Sequence, residues 1–280
     1  MPDTISSLLI LIPAYNEADR IEPVLNDYAT FFREKYAGRF EIMVVLNGCR
    51  DNTLEVVQRA AAKFPEIKSL DFPAPIGKGG ALIEGLKFAS RADLVGYVDA
   101  DGATSPKAFL DLVQHCGVAD CAIGSRWIPG AVLYQQQSRK RQVFSRIFHL
   151  MVQTLFRMNI VDTQCGAKVM KREAIERIHA SLRIADVAFD INLLYCLKRE
   201  RYKVLEVPTE WTDKAGSKIR LNRGALGIVL SVIRLRLIYS PFYSWLRPFR
   251  PVEAWIYKSL RAPQPLPSPP KQKTSDQSRP

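Results

Sequence analysis

The sequence offers no paired-cysteine framework. Cys49, Cys116, Cys121, Cys165 and Cys196 make an odd set without a C-x-x-C pair, and His115, His149 and His179 are scattered. Neither a disulfide scaffold nor a zinc site is suggested, and a reducing compartment is expected. Long apolar runs are missing too. Ile5 to Ile12 is too short to span a bilayer and no basic residue precedes it, so no signal peptide is read there. Ala225 to Leu246 is apolar and carries Tyr239, Tyr243 and Trp245, but Arg234 and Arg236 interrupt it well short of the roughly 20 residues a span needs. Acidic residues are absent from Cys121 to Val161, which holds Arg126, Arg139, Lys140, Arg141, Arg146 and Arg157. Residues 214 to 261 carry 10 basic side chains against 1 acidic, so the net charge of +12 is concentrated in the C-terminal quarter. Such segregation calls for an anionic partner: nucleic acid, a membrane surface or a phosphorylated substrate.

What is present begins with a chain of 280 residues, 47% of them hydrophobic, enough for a sizeable core. It is organised around Asp93-Leu-Val-Gly-Tyr-Val-Asp-Ala-Asp-Gly-Ala-Thr104, where a short apolar run empties into two carboxylates. In an extended segment residues i and i+2 point the same way, so Asp99 and Asp101 can face one ligand. At the carboxyl end of a strand in an open α/β sheet, that ligand lies in the binding crevice. Paired carboxylates followed by glycine suit Mg²⁺ or Mn²⁺ bound together with substrate phosphates. Alone, such a tripeptide is more often a solvated turn; its place after a buried-looking strand argues otherwise.

Ser7 to Ile12 reads as a buried strand ended by Pro13, followed by a helix that Asn16 can cap, with Ile21, Val24, Leu25, Tyr28, Phe31 and Phe32 at helical spacing. Phe40 to Leu46 and Ile67 to Phe72 are further strands. The first leads through Asn47-Gly-Cys-Arg-Asp-Asn-Thr53 to a helix near Leu54, the second through Gly77-Lys-Gly-Gly80 to a helix from Ala81 to about Ala89. Glycines and a lysine at a helix start suit a phosphate, although the P-loop spacing is missing. The strand ending at Asp99 completes a β/α alternation, which implies a mostly parallel sheet. Val204 to Val207 is a last strand ended by Pro208. Gln142 to Phe156 has a wide apolar stripe behind Arg139 to Arg141, which describes either a core helix or one lying in a membrane interface. Past Arg261 the Pro-, Ser-, Lys- and Gln-rich tail is expected to be disordered.

Tyr15-Asn-Glu17, Asn47-Gly48, Gly77-Lys-Gly-Gly80 and Asp99-Ala-Asp-Gly102, in that order, resemble the nucleotide-sugar half of family 2 glycosyltransferases of the GT-A type. Gly124-Ser-Arg126, Asp162-Thr-Gln-Cys-Gly-Ala-Lys168, Phe189-Asp190, Glu206-Val-Pro208 and Gly216-Ser-Lys218 are similar to the dolichyl- or polyprenyl-phosphate branch, most of all to dolichyl-phosphate β-glucosyltransferases. The resemblance covers about residues 7 to 220. There are two departures: Leu46-Asn-Gly-Cys49 stands where the family often has Asp-Asp-Gly-Ser, and the N- or C-terminal spanning helices of the membrane-bound relatives are not evident in this sequence. The resemblance implies an α/β, Rossmann-like GT-A fold over 1–221; composition adds basic, aromatic-rich membrane-proximal helices over 222–261 and the disordered tail 262–280. The resemblance also implies an inverting enzyme moving a hexose, glucose favoured, from a nucleotide sugar to a polyprenyl or dolichyl phosphate; the interrupted apolar run and basic C-terminal quarter are what lead to the expectation of a chain peripheral at the cytoplasmic face of a membrane. Asp99 and Asp101 would hold Mg²⁺ or Mn²⁺. Pro13, Tyr15, Glu17, Asn47, Lys78, Gly79 and Ala100 would border the donor, and Arg126, Arg141, Ser145 and Lys218 the acceptor phosphate. Asp162, Gln164 and Lys168 are further positions carried over from the family.

A lipid phosphate is already ionised and needs arginines rather than a base. A hydroxyl acceptor would need a carboxylate base, for which Asp190 is the candidate, unless Asp190 only caps the helix Ile191 to Lys198. GDP-mannose as donor and a silent glycosyltransferase-like scaffold are the alternatives. A nucleic-acid-binding module lacks a recognition-helix or aromatic RNA-binding signature.

Overall fold

The computed structural model describes residues 7–134, 145–186, 188–212, 227 and 229–240 with their side chains, and the backbone of 139–144, 221–226 and 228. Its centre is a seven-stranded sheet built from β1 (Leu8–Ala14), β2 (Phe40–Asn47), β3 (Ile67–Phe72), β4 (Leu94–Val98), β5 (Cys121–Ser125), β7 (Ala167–Lys171) and β8 (Val204–Pro208), in the order β3-β2-β1-β4-β7-β5-β8. A short ribbon of β6 (Val132–Leu133) and β9 (Glu210–Trp211) lies apart from it. The first four strands are parallel, β7 runs antiparallel to both β4 and β5, and β8 is parallel to β5. The expected mostly parallel α/β sheet is therefore present. The chain steps outward from β1 to β3 and then returns to the other side of β1, so the strand order reverses between β1 and β4. That reversal opens a crevice at the carboxyl ends of the strands, and Asp99 follows directly on β4.

Alternate residues of the central strands feed two cores. Leu8, Ile10 and Ile12 of β1 pack with α1 (Ile21–Lys35), α2 (Thr53–Lys63) and α4 (Pro106–His115). Leu9 and Leu11 pack on the opposite face with α3 (Lys78–Leu86), α5 (Arg139–Phe156), α6 (Arg172–Ile178), α7 (Phe189–Arg199) and α8 (Leu221–Ile238). Val152 and Phe156 of α5 are buried there, as are Val232 and Leu235 of α8, while Ile147, Leu150, Ile233 and Leu237 are exposed. The expected domain boundary at residue 221 falls where α8 begins, yet this helix contributes to the same core. Residues 262–280 and most of 222–261 lie outside the described residues or are described only as backbone. Among the described residues no helix is long and apolar enough to cross a membrane.

Three local expectations need correction. Pro13 does not end β1, which runs on to Ala14; the β4 register stops at Leu11, so Pro13 is flanked only by β2, where the missing N–H is tolerated. The residue ahead of α1 is Arg20 rather than Asn16, because Asn16 adopts a left-handed conformation (φ 55°) in the preceding loop. The helix after the glycines starts at Lys78, three residues earlier than its apolar residues suggest.

Candidate active site

The loops after β1, β2 and β3 are tied to one another at the crevice. Asn16 Oδ1 accepts the Arg50 N–H (2.8 Å), Thr53 Oγ1 accepts the Glu17 N–H (2.8 Å), and Asp51 Oδ2 accepts the Ala18 N–H (3.2 Å). Asn47, expected to meet a nucleoside, is buried, and its Oδ1 accepts the N–H groups of Ile76 (2.6 Å) and Gly77 (3.1 Å). It braces the loop that presents Lys78. Pro13, Tyr15 and Glu17 are half-buried along this rim, and Glu17 pairs with Arg20.

The glycines of 77–80 serve the protein's own packing. Gly77 has φ 80°, a Cβ on Gly79 would lie 2.7 Å from Phe189 Cβ, and the Gly80 N–H donates to the Ala185 carbonyl (3.1 Å). The helix end is thus partly occupied by backbone 184–185, which modifies the phosphate-cradle expectation. Lys78 remains directed at the crevice. Its Nζ lies 2.6 Å from Asp99 Oδ1, with the two side chains 30% and 29% exposed. Burial would lower the Lys78 ammonium, but Asp99, Asp190 and Asp101 raise it above its ordinary value, so it stays charged.

Gly166 backs Asp99 from the other side. A Cβ placed there would lie 2.7 Å from Asp99 Cγ and closer still to Oδ2. Asp101 Oδ1 accepts the Ala103 N–H (3.0 Å). Burial pushes the Asp101 carboxyl up, opposed by that N–H, and Asp99 pushes it further. Ala100 between them is buried. Two coupled carboxylates at a strand end, one seated on a bare glycine and already drawing an ammonium, fit a divalent cation. Among the described residues no cluster of three or more His, Cys, Asp or Glu side chains could cage a metal. The pair therefore suits an ion that takes its other ligands from phosphate and water.

Beneath this mouth lies a buried network. Lys168 Nζ donates to Asp190 Oδ1 (2.6 Å) and to the Cys165 carbonyl (2.7 Å), and Tyr97 Oη donates to the same Asp190 oxygen. Burial alone would raise the Asp190 carboxyl, but Lys168 and Lys78 bring it below the usual range. The residue ahead of α7 is Ala188, so Asp190 is not a cap; it sits inside the first turn as an ion-pair partner.

Arg126 was expected to have no acid nearby. The fold supplies one from just beyond the acid-free segment: Asp162 takes Arg126 Nε (2.7 Å), Nη2 (2.9 Å) and the backbone N–H (3.0 Å). The guanidinium also lies 4.9 Å from the ring of Trp211. Burial would raise the Asp162 carboxyl, yet Arg126 holds it down. Glu206 receives the N–H groups of Val161 (2.8 Å) and Asp162 (2.9 Å), fixing that carboxylate in turn. Ser145 is half-buried on α5. The side chain of Arg141 and all of Lys218 lie outside the described residues.

The model of one family, described as glycosyl transferase family 2, matches residues 9–179. The chain belongs to this family. Among family 2 relatives, glycosyltransferase AglD of Haloferax volcanii is 34% identical over 228 residues, 80% of this chain but 36% of that protein, so the chain spans about a third of AglD's length. The dolichyl-phosphate beta-glucosyltransferase of Dictyostelium discoideum is 34% identical over 244 residues, 83% of this chain and 74% of that protein. The fold matches glucosyl-3-phosphoglycerate synthase from Mycobacterium tuberculosis, crystallised with Mn²⁺, uridine diphosphate and phosphoglyceric acid. The TM-score is 0.61 at 16% identity, covering 82% of this chain and 78% of that one.

For a family 2 glycosyltransferase the structure thus gathers Glu17, Asn47, Lys78, Asp99 and Asp101 around one crevice, with Asp190 and Lys168 below Lys78. Sequence reasoning assigned no role to Tyr97, Gly166 or Trp211. Tyr97 looked like one more apolar strand residue, and Gly166 and Trp211 act through partners distant in sequence.

Proposed function

We propose that this chain transfers a hexose, glucose favoured, from a nucleotide sugar to a polyprenyl or dolichyl phosphate with inversion at the anomeric carbon. The acceptor phosphate oxygen bonds to that carbon as the bond to the donor diphosphate breaks, and the nucleoside diphosphate leaves. No proton has to be removed from an ionised phosphate. The observation that carries this reading is the state of Asp190: buried, ionised and engaged by Lys168 and Tyr97, it is poorly suited to accept a proton from a hydroxyl. The similarity to the dolichyl-phosphate beta-glucosyltransferase of Dictyostelium discoideum supports the same acceptor class. Asp99 and Asp101 would hold Mg²⁺ or Mn²⁺, which stabilises negative charge on the departing diphosphate. Lys78 adds a second cation beside it, and the braced loops orient the nucleoside.

We propose further that the chain docks on the cytoplasmic face of an anionic membrane, where its lipid acceptor resides. The exposed Ile147, Leu150, Ile233 and Leu237 on α5 and α8, and the basic C-terminal quarter, support this.

The test pairs UDP-glucose and GDP-mannose separately with polyprenyl phosphate and with polyprenol, in Mg²⁺ or Mn²⁺. Glucose should appear on the lipid phosphate alone. Arg141→Ala should raise the apparent KM for polyprenyl phosphate while UDP affinity barely changes. Transfer to polyprenol, or an Arg141→Ala enzyme with unchanged lipid kinetics, would overturn the acceptor assignment.

A further inference from the structure

Lys78 and Asp99 form the cation–anion contact at the open mouth of the crevice. The lysine backbone is fixed: Gly77 is held by Asn47, Gly80 by Ala185, and a Cβ on Gly79 would collide with Phe189. Its four-carbon stem is not fixed in the same way, since a lysine carries a compact charge on a rotatable chain. The ammonium at 2.6 Å from Asp99 Oδ1 stands on one of the two carboxylates assigned to the metal, with Asp101 and Asp190 also within its electrostatic reach. A divalent ion arriving alone must either displace this ammonium or bind beside a like charge. A nucleoside diphosphate changes that balance, because its phosphate oxygens give the ammonium another anionic partner.

We infer that Lys78 is a resident counter-cation that guards Asp99 and hands it over when the donor diphosphate arrives, so that metal and nucleotide load together. The inference rests on the reading of Asp99 and Asp101 as metal ligands and adds an order to their use. By linkage the coupling is mutual: UDP tightens metal binding by the factor with which metal tightens UDP binding.

The test is Mn²⁺ binding to the full chain, read by electron paramagnetic resonance of free Mn²⁺, with and without UDP. Wild type should bind Mn²⁺ weakly alone and at least about 5-fold more tightly with UDP, within the usual range of such couplings. Lys78→Gln and Lys78→Met should bind Mn²⁺ alone more tightly than wild type and show a smaller UDP effect, whereas Lys78→Arg should keep both wild-type properties. Using two neutral replacements guards against one that fails to fold; the side chain is partly exposed and its loss leaves the Asn47 brace in place. Equal Mn²⁺ affinity and equal UDP enhancement in wild type, Gln and Met proteins would overturn the Lys78 inference and leave the metal reading standing. Absence of Mn²⁺ binding in every protein even with UDP, or undiminished binding in Asp101→Asn, would instead overturn the metal reading itself.

Discussion

Replacing Gly166 by alanine isolates the seat of Asp99 from every other feature of the crevice. Gly166 is not at a positive φ, so alanine carries no backbone strain there, and the only consequence is one methyl group. That methyl carbon would lie 2.7 Å from Asp99 Cγ and 2.2 Å from its Oδ2, against the 3.4 Å at which ordinary contact begins. The carboxylate or the 162–168 loop must therefore shift by slightly more than an ångström. Overpacking of this kind costs about 1–3 kcal/mol, which lowers Tm by a few degrees to about 10 °C in a domain of this size. The catalytic loss should be far larger in proportion, because misplacing a reacting group by about 1 Å can cost roughly 100-fold. The assay is glucose transfer from UDP-glucose to polyprenyl phosphate in Mn²⁺, with circular dichroism melts alongside. A Gly166→Ala protein that melts near wild type and keeps more than half of wild-type kcat/KM would refute the claim that this glycine seats the carboxylate.

Asn47→Ala removes the acceptor for two N–H groups, so it should cost about 1–3 kcal/mol and raise donor KM, whereas Asn47→Asp keeps an acceptor and should stay near wild type; equal KM values for all three would contradict the bracing role. Asp162 and Asp190 have native pKa values below the unfolded value of about 3.9, so the native state binds fewer protons than the unfolded one. Their stabilisation is complete above about pH 5 and drains away as the pH falls through the depressed native values. The urea midpoint should drop steeply between pH 5 and 3, less steeply in Asp162→Asn, and an identical slope in both proteins would rule this out. Binding to anionic liposomes should weaken with salt, since screening shortens the reach of surface charge to about 8 Å at physiological ionic strength, and should weaken again on truncation after Ser240 or in Leu150→Asp. Truncation after Leu221 is unsuitable because it removes Val232 and Leu235 from the core; equal partitioning of full-length and Ser240-truncated protein would eliminate the docking proposal.

Much of the donor side was legible because its signals are local. An apolar run ending in Asp99-Ala-Asp101 carries its strand, its end and its chemistry within eight residues, and the β/α alternation up to Asp99 specifies a parallel sheet by itself. The misreadings involve partners far away in the chain. Asn16 has the chemistry of a cap, but its oxygen is taken by the Arg50 N–H across the rim. Asp190 could be read as cap or base because nothing near it in sequence announces Lys168 or Tyr97. Ala167-Lys-Val-Met-Lys171 is short and has a lysine at its second position, so it does not read as a central strand. It is one because the Lys168 charge is matched by Asp190 in the interior.

The placement of β7 also bears on how the chain assembles as it is made. β1 to β4 can pair with one another as soon as they are synthesised, but the free edge of β4 is closed only by β7, about 70 residues later. At ribosomal rates of roughly 5–20 residues per second, that edge stays unpaired for about 4–14 s. An open strand of Leu-Val-Gly-Tyr-Val is an invitation to neighbouring chains. Substitutions that slow the docking of residues 167–171, Lys168 foremost, should therefore show themselves first as insoluble protein at the moment of synthesis, before any effect on the turnover of the molecules that do fold.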